Sequence, residues 1–315
     1  MKIMRLLALA AFFCSAVAQA AAQNYLYTSS GELEDLQNIL AREDIAGVQI
    51  VYSWRQLEKA RGEYDFSAIE KDLATVSRAH KKLFIQIQDR FFEPQARNIP
   101  LYLQQEPQYR GGLVAQMDNP GEGKSAAQGW VAMQWNDAVR GRFQSLLSAL
   151  AARFDGRVAG VNLPETAIDV EMKDPASGFT CDGYFNATVE NMLFARKAFR
   201  KSHVVQYVNF WPCEWNNDHR YMSRLFEAAH NNKVGLGGPD VVPYKQAQMK
   251  NSYPFFRQYK NRLDLVAMAV QEPTLTYTNP KTHKKFTRQE FTRFAQDDLG
   301  ADIIFWSASS PWLKS

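Results

Sequence analysis

Cysteine and histidine are scarce in this chain, and the motifs that announce common enzyme chemistries are missing. Its 315 residues include three cysteines and five histidines. No C-x-x-C occurs and the histidines are scattered, so the sequence offers no ligand set for a metal. No G-x-G-x-x-G follows the first predicted strand, where Thr28 to Glu32 read TSSGE; this argues against an open dinucleotide-binding sheet. A P-loop and the G-x-S-x-G of serine hydrolases are also missing. The formal net charge is only +4, with no Lys/Arg run or basic stripe, so nucleic acid is not an expected partner. No internal repeat, low-complexity tract or linker divides the chain.

Long apolar runs are lacking as well. The one at the N-terminus, Leu6 to Phe13, is too short to span a bilayer. Lys2 and Arg5 precede it, and Ala18-Gln19-Ala20 follows with the small-x-small spacing of a cleavage site. Residues 1–20 therefore read as a secretory signal, and the expected location is periplasmic or secreted, without membrane attachment after cleavage. Removal lowers the net charge from +4 to +2. Bulky Phe13 before Cys14 does not fit a lipoprotein site. Cys181 and Cys213 then remain, either as free thiols or as a bridge, and an oxidising compartment favours the bridge.

What is abundant is alternation. Apolar, β-rich runs alternate with helical patterns throughout residues 21–315, which predicts one α/β domain built around a parallel sheet. Eight strands are expected: Tyr25–Thr28, Gly47–Trp54, Lys82–Gln88, Val158–Leu163, His203–Phe210, Val234–Gly237, Leu263–Val270 and Ala301–Trp306. VAGVNL, LDLVAMAV and ADIIFW are nearly continuous in apolar residues, as strands covered on both faces should be. Capping boxes are expected at Ser67/Glu70 and Thr287/Glu290. A longer apolar stripe runs through Val139, Phe143, Leu146, Leu147, Leu150 and Phe154. Eight strands with seven helical patterns predict a (β/α)8 TIM barrel. Little chain follows Trp306, so the last helix is expected to be short or missing. The connection 89–134, after the third strand, is long enough to read as a substrate-binding loop over the C-terminal face.

Barrel active sites lie at the C-terminal ends of the strands. Glu165 ends the fourth strand in VAGVNLPE, and Glu272 ends the seventh in LDLVAMAVQEP. Each follows an apolar run and adjoins a proline. Two carboxyl groups across a barrel mouth suit glycosidic cleavage, where one protonates the leaving oxygen and the other attacks carbon or activates water. An acid after a strand is equally at home as a helix cap or a solvated loop residue, so position makes these two only candidates. Asp240 is a third acid, competing for the role of base.

The segment Ser53 to Leu73, SWRQLEKARGEYDFSAIEKDL, resembles the W-x-x-x-E-P-x-x-G-x-Y-D-F stretch of the clan A glycoside hydrolases. WNDAVRGRFQSLLSALAARFDGRVAGVNLPE, Trp135 to Glu165, is similar to their third helix running into the fourth strand. The resemblance extends from about Tyr25 to Trp306, over a superfamily that includes many β-galactosidases, β-xylosidases and cellulases. It implies that Glu165 is the acid/base and Glu272 the nucleophile of a retaining mechanism on a β-linked oligo- or polysaccharide, with no cofactor. Two positions depart from the clan pattern. Pro164 stands where Asn precedes the acid/base, leaving Asn162 as the nearest residue for the sugar 2-hydroxyl. Gln49 stands where an arginine is expected near the nucleophile. These departures motivate a rival reading, an inactive barrel that binds surface or matrix polysaccharide.

The resemblance also implies a tryptophan under the sugar, a place that Trp306 would fill, and a tyrosine bonded to the nucleophile, a place for Tyr244. An indole offers a flat apolar face to a pyranose, and a phenol donates to carboxylates. Trp54, Trp211 and Trp215 lie near strand ends and suit either sugar contact or packing. Gln88, Asp89 and Asn209 either bind hydroxyls or cap loops.

Overall fold

The computed structural model describes residues 21–117 and 127–314. The predicted signal segment, residues 1–20, lies outside the described residues. Eight strands form the barrel: β1 (Gln23–Ser29), β2 (Gly47–Ser53), β3 (Lys82–Gln88), β4 (Gly160–Leu163), β5 (His203–Tyr207), β6 (Gly235–Gly238), β7 (Val266–Val270) and β8 (Ile303–Ser307). Each pairs in parallel with its neighbours, and β8 returns to β1 to close the sheet. This is a (β/α)8 barrel. Strands β4, β5 and β7 are shorter than their apolar runs, because flanking residues such as Val158 and Val208 are buried without joining the ladder.

Alternation along the strands decides what fills the barrel. Tyr25, Phe84 and Phe305 point inward and meet edge to face, with ring centroids 6.5, 5.6 and 5.4 Å apart. Glycines face these rings. A Cβ on Gly47 would come within 2.4 Å of the Tyr25 ring, and one on Gly160 within 2.3 Å of Phe84. Large and small side chains thus share the interior at close to crystal density. Ile304 and Trp306, on the other face of β8, belong to the cluster between sheet and helices.

The helix Asp137–Phe154 buries the six-residue stripe read from its sequence. The Thr287/Glu290 capping box is present. The Ser67/Glu70 box is not. Asp65 accepts hydrogen bonds from the Ser67 amide at 3.0 Å and its hydroxyl at 2.6 Å. Ser67 is thereby drawn into the first turn, and Glu70 pairs instead with Arg153 and Arg157. Among the described residues, the only helical element after β8 is the short 3-10 turn Pro311–Leu313.

The connection 89–134 is not an irregular loop. It carries the short helix Leu101–Gln105 and three antiparallel strands, with Ala127–Ala132 between Arg90–Phe91 and Leu113–Met117. Cys181, at the start of the helix Cys181–Ala198, forms a disulfide with Cys213 in the loop after β5. Among the described residues, no helix is long and apolar enough to cross a membrane.

Candidate active site

One cavity, of about 780 Å³, is at the wrong end for barrel chemistry. It opens between the strand N-termini, beside Gln23, Lys82, His203 and Ile303. Its Lys81 ammonium is already bound to the carbonyls of Arg42 and Ile45 at 2.8 and 2.6 Å.

The opposite end holds a cleft of about 380 Å³ at the strand C-termini. Strand alternation supplies its floor. Tyr27, Gln86 and Tyr207 lie two residues beyond the inward-facing Tyr25, Phe84 and Val205. Glu165, Asn209 and Asp240 extend from the ends of β4, β5 and β6. Gln116 and Phe92 descend from the 89–134 sheet, so that connection does wall the cleft. Phe92, Phe210 and Tyr277 present partly exposed rings.

Glu165 is the most perturbed acid here. Burial raises its carboxyl to about 7. The nearby Arg90 charge opposes the rise, the Asp240 charge adds to it, and a hydrogen bond from Asn209 Nδ2 at 3.3 Å opposes it again. Arg90 is itself committed elsewhere. It donates to the Glu165 carbonyl, to Asp89 Oδ1 at 2.9 Å and to the Tyr184 hydroxyl at 3.1 Å. Glu165 is therefore a carboxylic acid that holds its proton near neutrality. Asp240 is also pushed upward by burial, against the opposing hydrogen bond from Thr274 Oγ1 at 2.9 Å and the charge of Lys245.

Glu272 is placed differently. It opens the short turn Glu272–Leu275 and is exposed, at the rim rather than in the cleft lining; its neighbours Gln271 and Pro273 line the cleft. Its Oε1 accepts hydrogen bonds from the hydroxyls of Ser307 and, at 3.1 Å, Ser309. Tyr27 connects the acids electrostatically. Burial raises its phenol first, followed by the charges of Glu272, Asp240 and Glu165.

Several expected helpers are elsewhere. Trp306 is fully buried against Phe291 and Trp312 and donates to Asn24 Oδ1 at 2.8 Å, so its ring cannot lie under a sugar. Trp54 is equally buried, bonded to Glu58 at 2.8 Å. Trp211 packs among Tyr184, Phe185 and Tyr221. Trp215 is exposed but outside the cleft. Tyr244 makes no bond to Glu272; a left-handed backbone, φ 65°, turns its ring onto Phe286. Asp89 is buried between Arg90 and Gln134, which donates to it at 2.9 Å, and serves the wall rather than a ligand. Asn162 is buried outside the lining. Gln49, in the place of the expected arginine, exchanges hydrogen bonds with the Tyr207 hydroxyl at 2.9 and 3.1 Å.

Gln88 and Asn209 do reach the cleft, beside Glu165. Tyr27, Gln86 and Gln271 were missed by sequence reasoning. A period-two count from Tyr25 and Phe84 would have found the first two. Ser307 and Ser309 were missed because two serines after a strand carry no distinctive pattern.

No family model matches the chain, and no curated protein sequence matches it. Solved structures do resemble it. The catalytic domain of a β-amylase from Paenibacillus polymyxa aligns with TM-score 0.56 and 8% identity, covering 91% of this chain and 93% of that one. This chain shares that protein's (β/α)8 barrel fold. A thermostable mutant of a Cellvibrio japonicus xylanase aligns with TM-score 0.52 and 14% identity over 91% and 87% of the two chains. A psychrophilic family 10 endo-β-1,4-xylanase gives 0.53 and 10% over 91% and 86%. At such identities the likeness is one of fold.

Proposed function

We propose that this protein is an exported glycoside hydrolase that cleaves an oligo- or polysaccharide with Glu165 as its general acid. The observation that carries this reading is a carboxyl raised to about 7, set in a cleft at the barrel's C-terminal face among amides and exposed rings. Such an acid is charged with a proton at the pH where the reaction must run. Glu272 is proposed as the second carboxylate, of a retaining mechanism. Glu165 gives its proton to the leaving glycosidic oxygen as the Glu272 carboxylate attacks the anomeric carbon. Glu165 then takes a proton from water, which attacks the same carbon and releases Glu272. The serine hydroxyls on Glu272 would orient it, in place of the missing arginine. No cofactor enters these steps. The β preference comes from the clan resemblance alone. Export rests on the N-terminal segment and agrees with the disulfide.

One observation favours a second reading, a barrel that binds glycan without cutting it: Glu272 is exposed at the rim rather than lining the cleft with Glu165. Hydrolysis of a panel of aryl glycosides and β-glycans separates the two. Glu165→Gln and Glu272→Gln should each lower kcat/KM by about 10²–10⁴-fold. A larger loss in Asp240→Asn than in Glu272→Gln moves the second-carboxylate role to Asp240. Glycan binding with no turnover by the wild type establishes the second reading.

A further inference from the structure

Two polar side chains in the cleft have no part in the proton and carboxylate chemistry. Gln86 and Gln116 both line it and are 5% and 4% exposed, yet the side-chain oxygen of each finds no donor among the described residues. Burying an acceptor without a partner is costly, so such an oxygen is normally satisfied by what binds beside it. The other unpartnered amide oxygens among the described residues, on Asn162 and Gln248, lie outside the lining. Pairing fixes the backbone under both glutamines. Gln86 sits within the β3 ladder, opposite Val51 of β2 and Asn162 of β4. Gln116 is paired with Gly129 in the 89–134 sheet, and the amide of the adjoining Met117 donates to the Asp169 carbonyl at 2.7 Å, which ties that strand to the loop after β4. One acceptor thus comes from the barrel floor and the other from the inserted sheet, each held on a strand. Phe92, which follows the inserted strand Arg90–Phe91, brings a ring 56% exposed to the same space.

We propose that Gln86, Gln116 and Phe92 form a subsite for one neutral sugar unit, in which each glutamine takes a free ring hydroxyl and the phenyl ring covers a C–H face. A hydroxyl both donates and accepts, as an amide does. It can give its proton to the unpartnered oxygen while the NH2 of the same amide bonds a second sugar oxygen. A pyranose carries apolar C–H groups on its faces and equatorial hydroxyls around its edge, so a ring seated on Phe92 turns its hydroxyls toward the amides. An esterified or methylated hydroxyl brings no donor and leaves the glutamine oxygen unsatisfied, so the subsite selects against sugars substituted at those positions. Two of its three residues come from the 89–134 connection, which makes that insertion an element of specificity. This deepens the glycosidase reading and rests on its premise that the cleft holds sugar.

The two glutamines should show opposite effects on stability and on binding, which residues with a structural role would not. Urea unfolding of the full chain without sugar should give Gln86→Met and Gln116→Met midpoints equal to or above that of wild type, because methionine keeps the shape and removes the unpartnered oxygen. Binding is measured by calorimetric titration of the full chain carrying Glu165→Gln, which prevents cleavage, with cellohexaose, xylohexaose, mannohexaose and laminarihexaose as probes. At least one should bind, and either methionine substitution added to that chain should weaken its binding by about tenfold or more. A lowered midpoint in either variant, undiminished affinity in either, or no binding of any probe overturns the proposal. Turnover judges the glycosidase reading separately. Binding that needs both glutamines, with no hydrolysis by the wild type, keeps the subsite and removes the enzyme; hydrolysis by the wild type with full affinity in the methionine variants does the reverse.

Discussion

A carboxyl that stays protonated near neutrality does so at the expense of its ionised form, and Glu165 shows how local that expense is. Its folded value is about 7, while in the unfolded chain it titrates in the ordinary glutamate range. The folded state therefore binds the proton more tightly. That contribution to stability is fully present below the unfolded value and is lost as pH rises through about 7. Glu165→Gln keeps the shape and removes the charge. It should be more stable than wild type above about pH 7, by up to ~3 kcal/mol less whatever the water in the cleft offsets, and nearly equal to it at about pH 4. Urea unfolding at the two pH values measures this. Trp306 carries the opposite lesson. Trp306→Ala should destabilise by about 3–5 kcal/mol through its cavity. The milder Trp306→Phe should lower Tm while leaving KM for sugar unchanged, because the indole packs behind the sheet.

At the scale of elements, glycines and one disulfide set the limits. Gly237 lies in β6, where an added Cβ would come within 1.8 Å of the Ala267 carbonyl oxygen. Gly237→Ala should destabilise by about 2–3 kcal/mol or more, since backbone cannot yield as a side chain does. The Cys181–Cys213 bridge closes a sequence separation of 32 residues. Cys181→Ser with Cys213→Ser should lower unfolding free energy by about 3 kcal/mol, measured by urea titration. All eight strands and the stripe on Asp137–Phe154 were legible because buried parallel strands and amphipathic helices leave distinct periodicities. The facing of Trp306 was not. ADIIFW is apolar at nearly every position, so nothing in it says whether Phe305 or Trp306 points inward. Ser67 failed as a cap for a different reason: Asp65 competes for the same amide, and a motif scan does not weigh competitors.

At the scale of the molecule, alternation around residues 21–315 was enough to close a barrel, and barrel geometry was enough to bring Glu165 into a cleft. It did not bring Glu272 there, because strand-end position fixes a residue to the mouth but not the direction of its side chain. Nor did it foresee that the 89–134 connection folds as a sheet that lowers Gln116 and Phe92 into the site. The short strands of that sheet are held by antiparallel pairing that no local pattern announces.

The central claim is that Glu165 donates the proton to the leaving group, and leaving-group dependence tests it most directly. The measurement compares Glu165→Gln with wild type on one sugar attached either to another sugar or to dinitrophenol. Dinitrophenolate departs without protonation, whereas a sugar alkoxide does not. The account predicts that the variant loses about 10²–10⁴-fold on the sugar–sugar bond and retains most of its bond-cleavage rate on the dinitrophenyl glycoside. Equal loss on both substrates, or undiminished cleavage of both, would contradict it.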